Sequence, residues 1–211
     1  MAKLARAILR LFGWKVRAHL PRSRRYVLIG APHTSNWDFP VALLALRALN
    51  IPGRWVGKHT LFRWPLGPIM RRLGGVPVDR RSSHRFVEQI VERFRENEEL
   101  VIVISPEGTR RRTPYWRTGF YYIARNAGVP IALGYLDYGR KEAGVDGVVV
   151  PSGDLERDLE AFRRFYADKT GKRPEKTGRI RLRSPAQNVT ARSGSAGRPA
   201  DSAAHSHEKR L

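Results

Sequence analysis

The positions of apolar and polar residues divide the chain into short strands that alternate with helices. Runs rich in β-branched and aromatic residues, such as "RYVLIGA" and "LVIVISP", predict strands, and apolar residues three or four positions apart predict helices. The predicted strands cover residues 25–31, 53–58, 76–79, 100–106, 129–138 and 147–150. The predicted helices cover residues 38–50, 61–75, 82–98, 116–128 and 154–169. This alternation predicts an α/β domain in which helices are layered on a sheet.

The two ends of the chain differ from this middle part. Residues 1–21 predict an amphipathic helix with a basic side and an opposite side that carries Leu4, Ile8, Leu11 and Phe12. Such a helix is typical of one that lies in a membrane interface, and the alternative is a helix that packs on the domain's own core. Residues 184–211 contain hardly any large apolar group, which predicts a disordered basic tail. Residues 22–183 then form the domain between these ends.

Charge and composition narrow the possible partners. The net charge is +21, and residues 1–32 hold eight Lys or Arg and no acidic residue. Basic ends of this kind attract polyanions, which means either nucleic acid or an anionic bilayer surface. The chain has no cysteine, which excludes disulfides, thiolate metal sites and a cysteine nucleophile. No apolar stretch approaches the roughly 18 residues that a membrane-spanning helix needs.

The stretch "APHTSNWDFP", residues 31–40, places a histidine and an aspartate at the junction between a predicted strand and a predicted helix. Within one helix, side chains five positions apart diverge, so spacing alone would not pair His33 with Asp38. Pro32 disfavours helix at Ala31, and a cap at 35 or 36 would start the helix near 37. His33 would then lie on a loop and Asp38 in the first helical turn, which lets the imidazole fold back onto the carboxylate.

A His-Asp pair of this kind can act as a general base. The carboxylate would fix the imidazole tautomer while the other ring nitrogen takes a proton from a hydroxyl group. No G-x-S-x-G motif supplies an enzyme nucleophile, so the substrate hydroxyl itself would attack. The pair therefore predicts direct transfer of an acyl or similar group to an alcohol. Taken in isolation, the pattern favours the alternative, an ordinary loop histidine followed by a helix-capping aspartate.

Three further stretches support the catalytic interpretation. "ISPEGTRRR" follows the strongest predicted strand, and its Glu107, Gly108, Thr109 and Arg110 form a loop suited to holding a phosphate. "GGVPVDRR" places Arg80 at the end of another strand, and "AGVPIAL" places Pro130 at a strand start.

These four blocks, in this order, resemble the pattern of the glycerolipid acyltransferase family, in particular its 1-acylglycerol-3-phosphate acyltransferases. The resemblance spans residues 31–133 and implies a mixed, mostly parallel sheet flanked by helices, working at a membrane face. It implies that His33 is the general base and Asp38 its orienting partner. It further implies an acceptor site formed by Lys58, Arg80, Glu107, Gly108, Thr109 and Arg110, in which Glu107 is interpreted as orienting an arginine rather than acting as an acid.

The resemblance also implies the substrates and the location. A fatty acyl group would pass from acyl-CoA or acyl-carrier protein to the hydroxyl of a lysophospholipid such as 1-acylglycerol 3-phosphate. We expect no cofactor and no metal, and we expect a peripheral protein on the cytoplasmic face of a membrane with anionic lipids. The alternatives are another acceptor, such as an ornithine-type lipid or a sugar, a lipid-binding module without catalysis, and a basic nucleic-acid-binding protein. Because no zinc finger, RNP motif or helix-turn-helix is present, we do not expect nucleic acid as a partner.

Overall fold

A single seven-stranded sheet organises the chain, which is described here from a computed structural model at residues 1–78 and 83–182. The strands are β1 (Lys15–His19), β2 (Arg25–Ala31), β3 (Gly53–Lys58), β4 (Gly75–Val78), β5 (Leu100–Ile104), β6 (Ile131–Asp137) and β7 (Glu142–Val149). Their order in the sheet is β1-β7-β6-β2-β5-β3-β4. The five strands from β6 to β4 are parallel, whereas β7 runs antiparallel to β6 and carries β1 parallel to itself. The predicted mixed, mostly parallel sheet is confirmed.

Six helices within the described ranges flank this sheet. They are α1 (Ala2–Leu11), α2 (Asp38–Ala48), α3 (Gly67–Arg72), α4 (Ser83–Glu96), α5 (Gly119–Ala127) and α6 (Leu155–Tyr166). Two 3₁₀ turns, His59–Phe62 and Pro174–Lys176, complete the described elements. Among the described residues, no helix combines the length and the apolarity needed to cross a membrane.

The central strand β2 shows why helices cover both faces of the sheet. Successive strand residues point to opposite faces. Val27 and Ile29 are buried in the larger core, which also contains residues of α4, α5 and α6. Tyr26 and Leu28 are buried in a second cluster together with Leu46 of α2. A strand that is apolar at consecutive positions is therefore a strand buried on both faces, which is typical of parallel sheets.

The N-terminal helix is shorter than the prediction of 1–21. It ends at Leu11, and Gly13 then adopts a φ of 79°, which glycine tolerates and which interrupts the helical path. Residues 15–19 form β1 at the edge of the sheet, and their partly exposed pattern hid them from the sequence reasoning. Ala5 and Leu9 of α1 are buried on the domain, while Leu4 and Leu11 are exposed. The helix thus packs on the core with one part of its apolar side, and its role at a membrane stays a prediction.

Other boundaries also differ from the sequence pattern. Strand β7 starts at Glu142 rather than at 147. Residues 142–146 pair with β1 on one side and β6 on the other, although glycines and charged residues in this stretch give no strand pattern in the sequence. The predicted Pro-interrupted helical segment 61–75 is a 3₁₀ turn followed by the short α3. Pro65 lies in the break between them, and Pro68 lies in the first turn of α3, where proline is tolerated. The predicted tail 184–211 and the predicted site residue Arg80 lie outside the described residues.

Candidate active site

The predicted catalytic residues lie where four parallel strands end. Strands β6, β2, β5 and β3 are neighbours in that order, and their registers align Ile29 with Ile104 and Ala31 with Tyr135. The loops that leave these strands therefore meet at one end of the sheet, which we call its carboxyl end. Ligand sites in open α/β sheets occur at this position.

The side chains of His33 and Asp38 contact each other across the bend that the sequence predicts between strand and helix. The last residue of β2 is Ala31, α2 begins at Asp38, and the loop between them brings His33 Nδ1 to 3.0 Å from Asp38 Oδ2. The His33 side chain is 25% exposed and that of Asp38 only 3%. One ring nitrogen therefore faces a buried carboxylate, and the other makes no hydrogen bond to any described residue.

The buried carboxylate of Asp38 is held by several donors. Its Oδ2 accepts the backbone N–H groups of Thr34 and Ser35, each at 2.8 Å, and its Oδ1 accepts the hydroxyl of Tyr138 at 2.9 Å. Burial alone would raise the pKa of Asp38, but these hydrogen bonds and that of His33 outweigh it and hold the pKa below its usual value. An ionised carboxylate only accepts hydrogen bonds, so Nδ1 of His33 carries the hydrogen of this contact, and in the neutral form of the ring Nε2 offers a lone pair.

Glu107 contacts the loop 32–37 between β2 and α2, which we call the catalytic loop, rather than Arg110. Both of its carboxylate oxygens accept the backbone N–H of His33 at 3.2 Å, and the residue is only 3% exposed. Burial raises the pKa of Glu107, the His33 N–H lowers it, and the negative charge of Asp38 raises it, so that the pKa is about 7 in total. The sequence interpretation, that Glu107 orients an arginine, missed this contact because it joins a side chain to a backbone group 74 positions away.

Gly108, Thr109 and Arg110 follow Glu107 in a loop on the same end of the sheet. Gly108 has a φ of 66°, and a Cβ atom there would lie 2.7 Å from Arg117 Nε, so only glycine fits without displacement. The Thr109 hydroxyl accepts the backbone N–H of Arg111 at 3.2 Å, and Arg110 is exposed. The loop thus combines a bend with an accessible guanidinium group.

Lys58 is exposed at the end of β3, next to β5 in the sheet. It therefore lies on the same side of His33 as the loop that carries Arg110. Arg80 follows β4, the next strand outward, and lies outside the described residues. The structure places the described cations of the predicted acceptor site at the carboxyl end.

A second segment contacts the catalytic loop and was not found in the sequence. The Arg173 backbone N–H donates to Thr34 Oγ1 at 3.1 Å, and Gly171 packs so closely against Thr34 that a side chain would collide with it. The ammonium group of Lys172 lies 5.3 Å from the ring centre of Trp37 and 5.6 Å from that of Tyr138. No local sequence signal connects residues 138 or 172 with the His-Asp pair. Residue 138 reaches the pair because it follows β6, which lies next to β2 in the sheet.

Within the described residues, no group of three His, Asp or Glu side chains could hold a metal ion. The site is thus a His-Asp pair with cationic groups beside it, at the carboxyl end of a mixed α/β sheet. This arrangement suits general-base chemistry on a substrate that carries an anionic group.

Comparison with known proteins identifies the family of this chain. The family model described as "Acyltransferase" matches residues 15–132. Because the match covers more than half of the chain, the chain belongs to the acyltransferase family, and the resemblance found in the sequence blocks is confirmed.

The structure is similar to the crystal structure of the 1-acyl-sn-glycerophosphate (LPA) acyltransferase, PlsC, from Thermotoga maritima. The similarity has a TM-score of 0.54 at 18% sequence identity, and it covers 78% of this chain and 73% of that one. At this identity the likeness concerns the fold. Among curated proteins, no sequence matches this chain significantly.

Proposed function

We propose that this chain is an O-acyltransferase that moves a fatty acyl group from acyl-CoA or acyl-carrier protein to the hydroxyl of a lysophospholipid such as 1-acylglycerol 3-phosphate. The observation that carries the proposal is the 3.0 Å contact between His33 Nδ1 and the buried carboxylate of Asp38. The similar Thermotoga maritima protein is a 1-acyl-sn-glycerophosphate acyltransferase, which supports the choice of acceptor.

In the proposed reaction, His33 Nε2 removes the proton of the acceptor hydroxyl as its oxygen attacks the thioester carbonyl carbon. The new carbon–oxygen bond forms, and the tetrahedral intermediate collapses with cleavage of the carbon–sulfur bond. The imidazolium returns its proton to the departing thiolate, so the products are an ester and a free thiol. Asp38 stabilises the imidazolium between these two steps, and no metal or other cofactor takes part.

The cationic residues predicted for the acceptor site would bind the anionic headgroup of the acceptor. Lys58, Arg80 and Arg110 supply the charge, and the loop 107–110 supplies backbone donors. Anchoring the headgroup brings the hydroxyl next to His33 and converts an encounter in solution into a positioned reaction. We further propose that the protein works as a peripheral protein on the cytoplasmic face of an anionic membrane, without nucleic acid as a partner.

The test is a transfer assay with purified protein. Labelled acyl-CoA or acyl-carrier protein is incubated with a panel of lysophospholipids, an ornithine-type lipid and a sugar acceptor, and the products are identified by mass spectrometry. We expect acylation of a lysophospholipid, and His33→Ala should reduce kcat by about 10²–10⁴-fold while circular dichroism stays unchanged. Near-normal turnover of the alanine variant would refute the assignment of His33, and transfer to a different acceptor alone would refute the proposed substrate.

A further inference from the structure

Four large apolar side chains are exposed within nine residues that follow β3. Their exposed fractions are 45% for Leu61, 88% for Trp64, 55% for Leu66 and 54% for Ile69. These residues belong to the 3₁₀ turn, to α3 and to the link between them, and the turn and the helix contact each other. Single exposed apolar residues are ordinary, whereas a group of them marks an interaction surface. We call residues 61–69 the apolar segment.

The apolar segment rests on a fixed base. Phe62, the second residue of the segment, is buried and stacks on Trp55 of β3 with the ring centres 5.6 Å apart. The Gly67 N–H donates to the Arg63 carbonyl at 2.7 Å, and Gly67 lies too close to the Phe62 carbonyl to carry a side chain. The outward side chains are therefore held in place before any partner arrives, which lowers the entropy lost on binding.

The apolar segment lies at the carboxyl end of the sheet, as His33 does. It starts three residues beyond Lys58, where β3 ends, and β3 runs parallel to β5 and β2. Trp37, in the catalytic loop, is 62% exposed at this end.

Leu11 and Phe12 reach the same end from the other side of the sheet. They precede β1. The first residue of β1 pairs with the first residue of β7, and this β7 residue pairs in turn with the last residue of β6, at the carboxyl end of the sheet. The ring of Trp14 accordingly contacts the ring of Tyr138, with centres 4.9 Å apart. Leu11 is 82% exposed and Phe12 64%. Exposed apolar groups thus flank the His-Asp pair on both sides.

The charges around the apolar segment decide which partner fits. Residues 39–78 contain six Lys or Arg and no Asp or Glu. Lys58, Arg63, Arg71 and Arg72 border or interrupt the segment, and all four are exposed. A nucleic acid would use the cations and could stack a base on Trp64, but it would gain nothing from the aliphatic Leu66 and Ile69. An anionic bilayer uses both, because acyl chains receive the apolar groups and phosphate headgroups receive the cations.

We propose that the apolar segment is the principal membrane-docking element, inserting into the interface of an anionic bilayer so that the carboxyl end of the sheet faces the lipid. This inference rests on the proposed function for its purpose: a lysolipid could then present its headgroup hydroxyl to His33 without leaving the membrane. It assigns docking mainly to residues 61–69, with Leu11 and Phe12 as a second contact, and not to the N-terminal helix alone.

The test compares vesicle binding of the full chain with that of the triple variant Trp64→Ser, Leu66→Ser, Ile69→Ser. The vesicles are phosphatidylcholine with about one third phosphatidylglycerol, and binding is measured by sedimentation. We expect the triple variant to lose at least about tenfold in partition coefficient. The matched control is Val148→Ser with Val150→Ser, two exposed apolar residues at the opposite end of the sheet, and it should bind like the wild type.

A second readout separates this inference from the proposed function. On a short-chain lysolipid kept monomeric, the triple variant should match the wild type, and on vesicle-embedded lysolipid it should be slower. An inactive wild type that still shows the partition difference would refute the proposed function and keep the docking surface. Undiminished partition of the triple variant, equal binding of the wild type to neutral vesicles, or binding to DNA in place of vesicles would overturn the docking surface. If thermal unfolding shows that the triple variant does not fold, Leu66→Ser with Ile69→Ser replaces it, with the same expected direction.

Discussion

The two halves of the candidate site are built differently. Asp38 and Glu107 are almost fully buried, and each accepts hydrogen bonds from the backbone of the catalytic loop. Lys58 and Arg110, by contrast, are exposed side chains that follow strands and extend into solvent. One half is therefore fixed by the folded chain, and the other is left adjustable.

The difference follows from what each half has to do. Proton transfer depends on hydrogen-bond geometry, so the imidazole must be held by groups that cannot move independently of the sheet. An anionic headgroup is attracted over longer distances, and a flexible cation can follow it. Substitutions in the fixed half should thus change stability or kcat, and those in the adjustable half should change KM.

The largest expected effect concerns Glu107 and stability. Its pKa is about 7 in the folded protein and lower in the unfolded chain, so between about pH 4.5 and 7 the folded state binds more protons. Stability is therefore highest below that window and falls as pH rises through it, by at most about 3 kcal/mol. Glu107→Gln removes the titration and should flatten this fall, so that the variant is the more stable protein above pH 7.

Thermal unfolding of both proteins across this pH range measures the effect. The difference between the two curves cancels the titration of groups that do not interact with Glu107. Glu99→Gln, at an exposed position before β5, is the matched control and should leave the pH dependence of the wild type unchanged. A Glu107→Gln curve parallel to that of the wild type would show that Glu107 titrates normally and that its burial costs little.

An intermediate effect is expected from the adjustable half. Arg110→Ala removes one cation from the proposed headgroup site and should raise KM for an anionic lysolipid about tenfold, with kcat within a few-fold of the wild type. The measurement is steady-state kinetics with the acceptor varied at saturating acyl donor. Arg93→Ala on α4 serves as the control for loss of one exposed positive charge. Equal KM values for the two variants would remove Arg110 from the acceptor site.

The fixed half was predictable from the sequence only where it is local. A proline before the histidine and a helix start near 37 were enough to place His33 and Asp38 on either side of a bend. The alternation of apolar residues likewise located β2, β3 and α6 to within a few residues. Strand β1 was missed because its amphipathic pattern continues that of α1, and what ends the helix is a backbone turn at Gly13.

Contacts across the sheet were beyond the reach of sequence reasoning. The Glu107 contact with the His33 backbone and the Tyr138 contact with Asp38 join residues 74 and 100 positions apart. Both depend on the order β6-β2-β5, which apolar patterns do not encode. Strand order brings these partners together, whereas local pattern only determines that each strand exists.

The smallest expected effect tests one of these long-range contacts. Tyr138→Phe keeps the ring that packs on Trp14 and removes only the hydroxyl that donates to Asp38 Oδ1 at 2.9 Å. Losing one of the hydrogen bonds that hold the carboxylate costs about 1 kcal/mol, so kcat should fall about three- to tenfold with KM unchanged for both substrates.

The control for this substitution lies three residues earlier, on β6. Tyr135→Phe also removes a hydroxyl that donates to a carboxylate, that of Glu142, which does not contact the His-Asp pair. If Tyr138 positions Asp38, only the Tyr138 variant should lose turnover, although both lose one hydrogen bond. Equal losses in kcat would mean that β6 contributes general rigidity. The fixed half of the site would then be limited, among the described residues, to the loop between β2 and α2 and to Glu107 in the loop after β5.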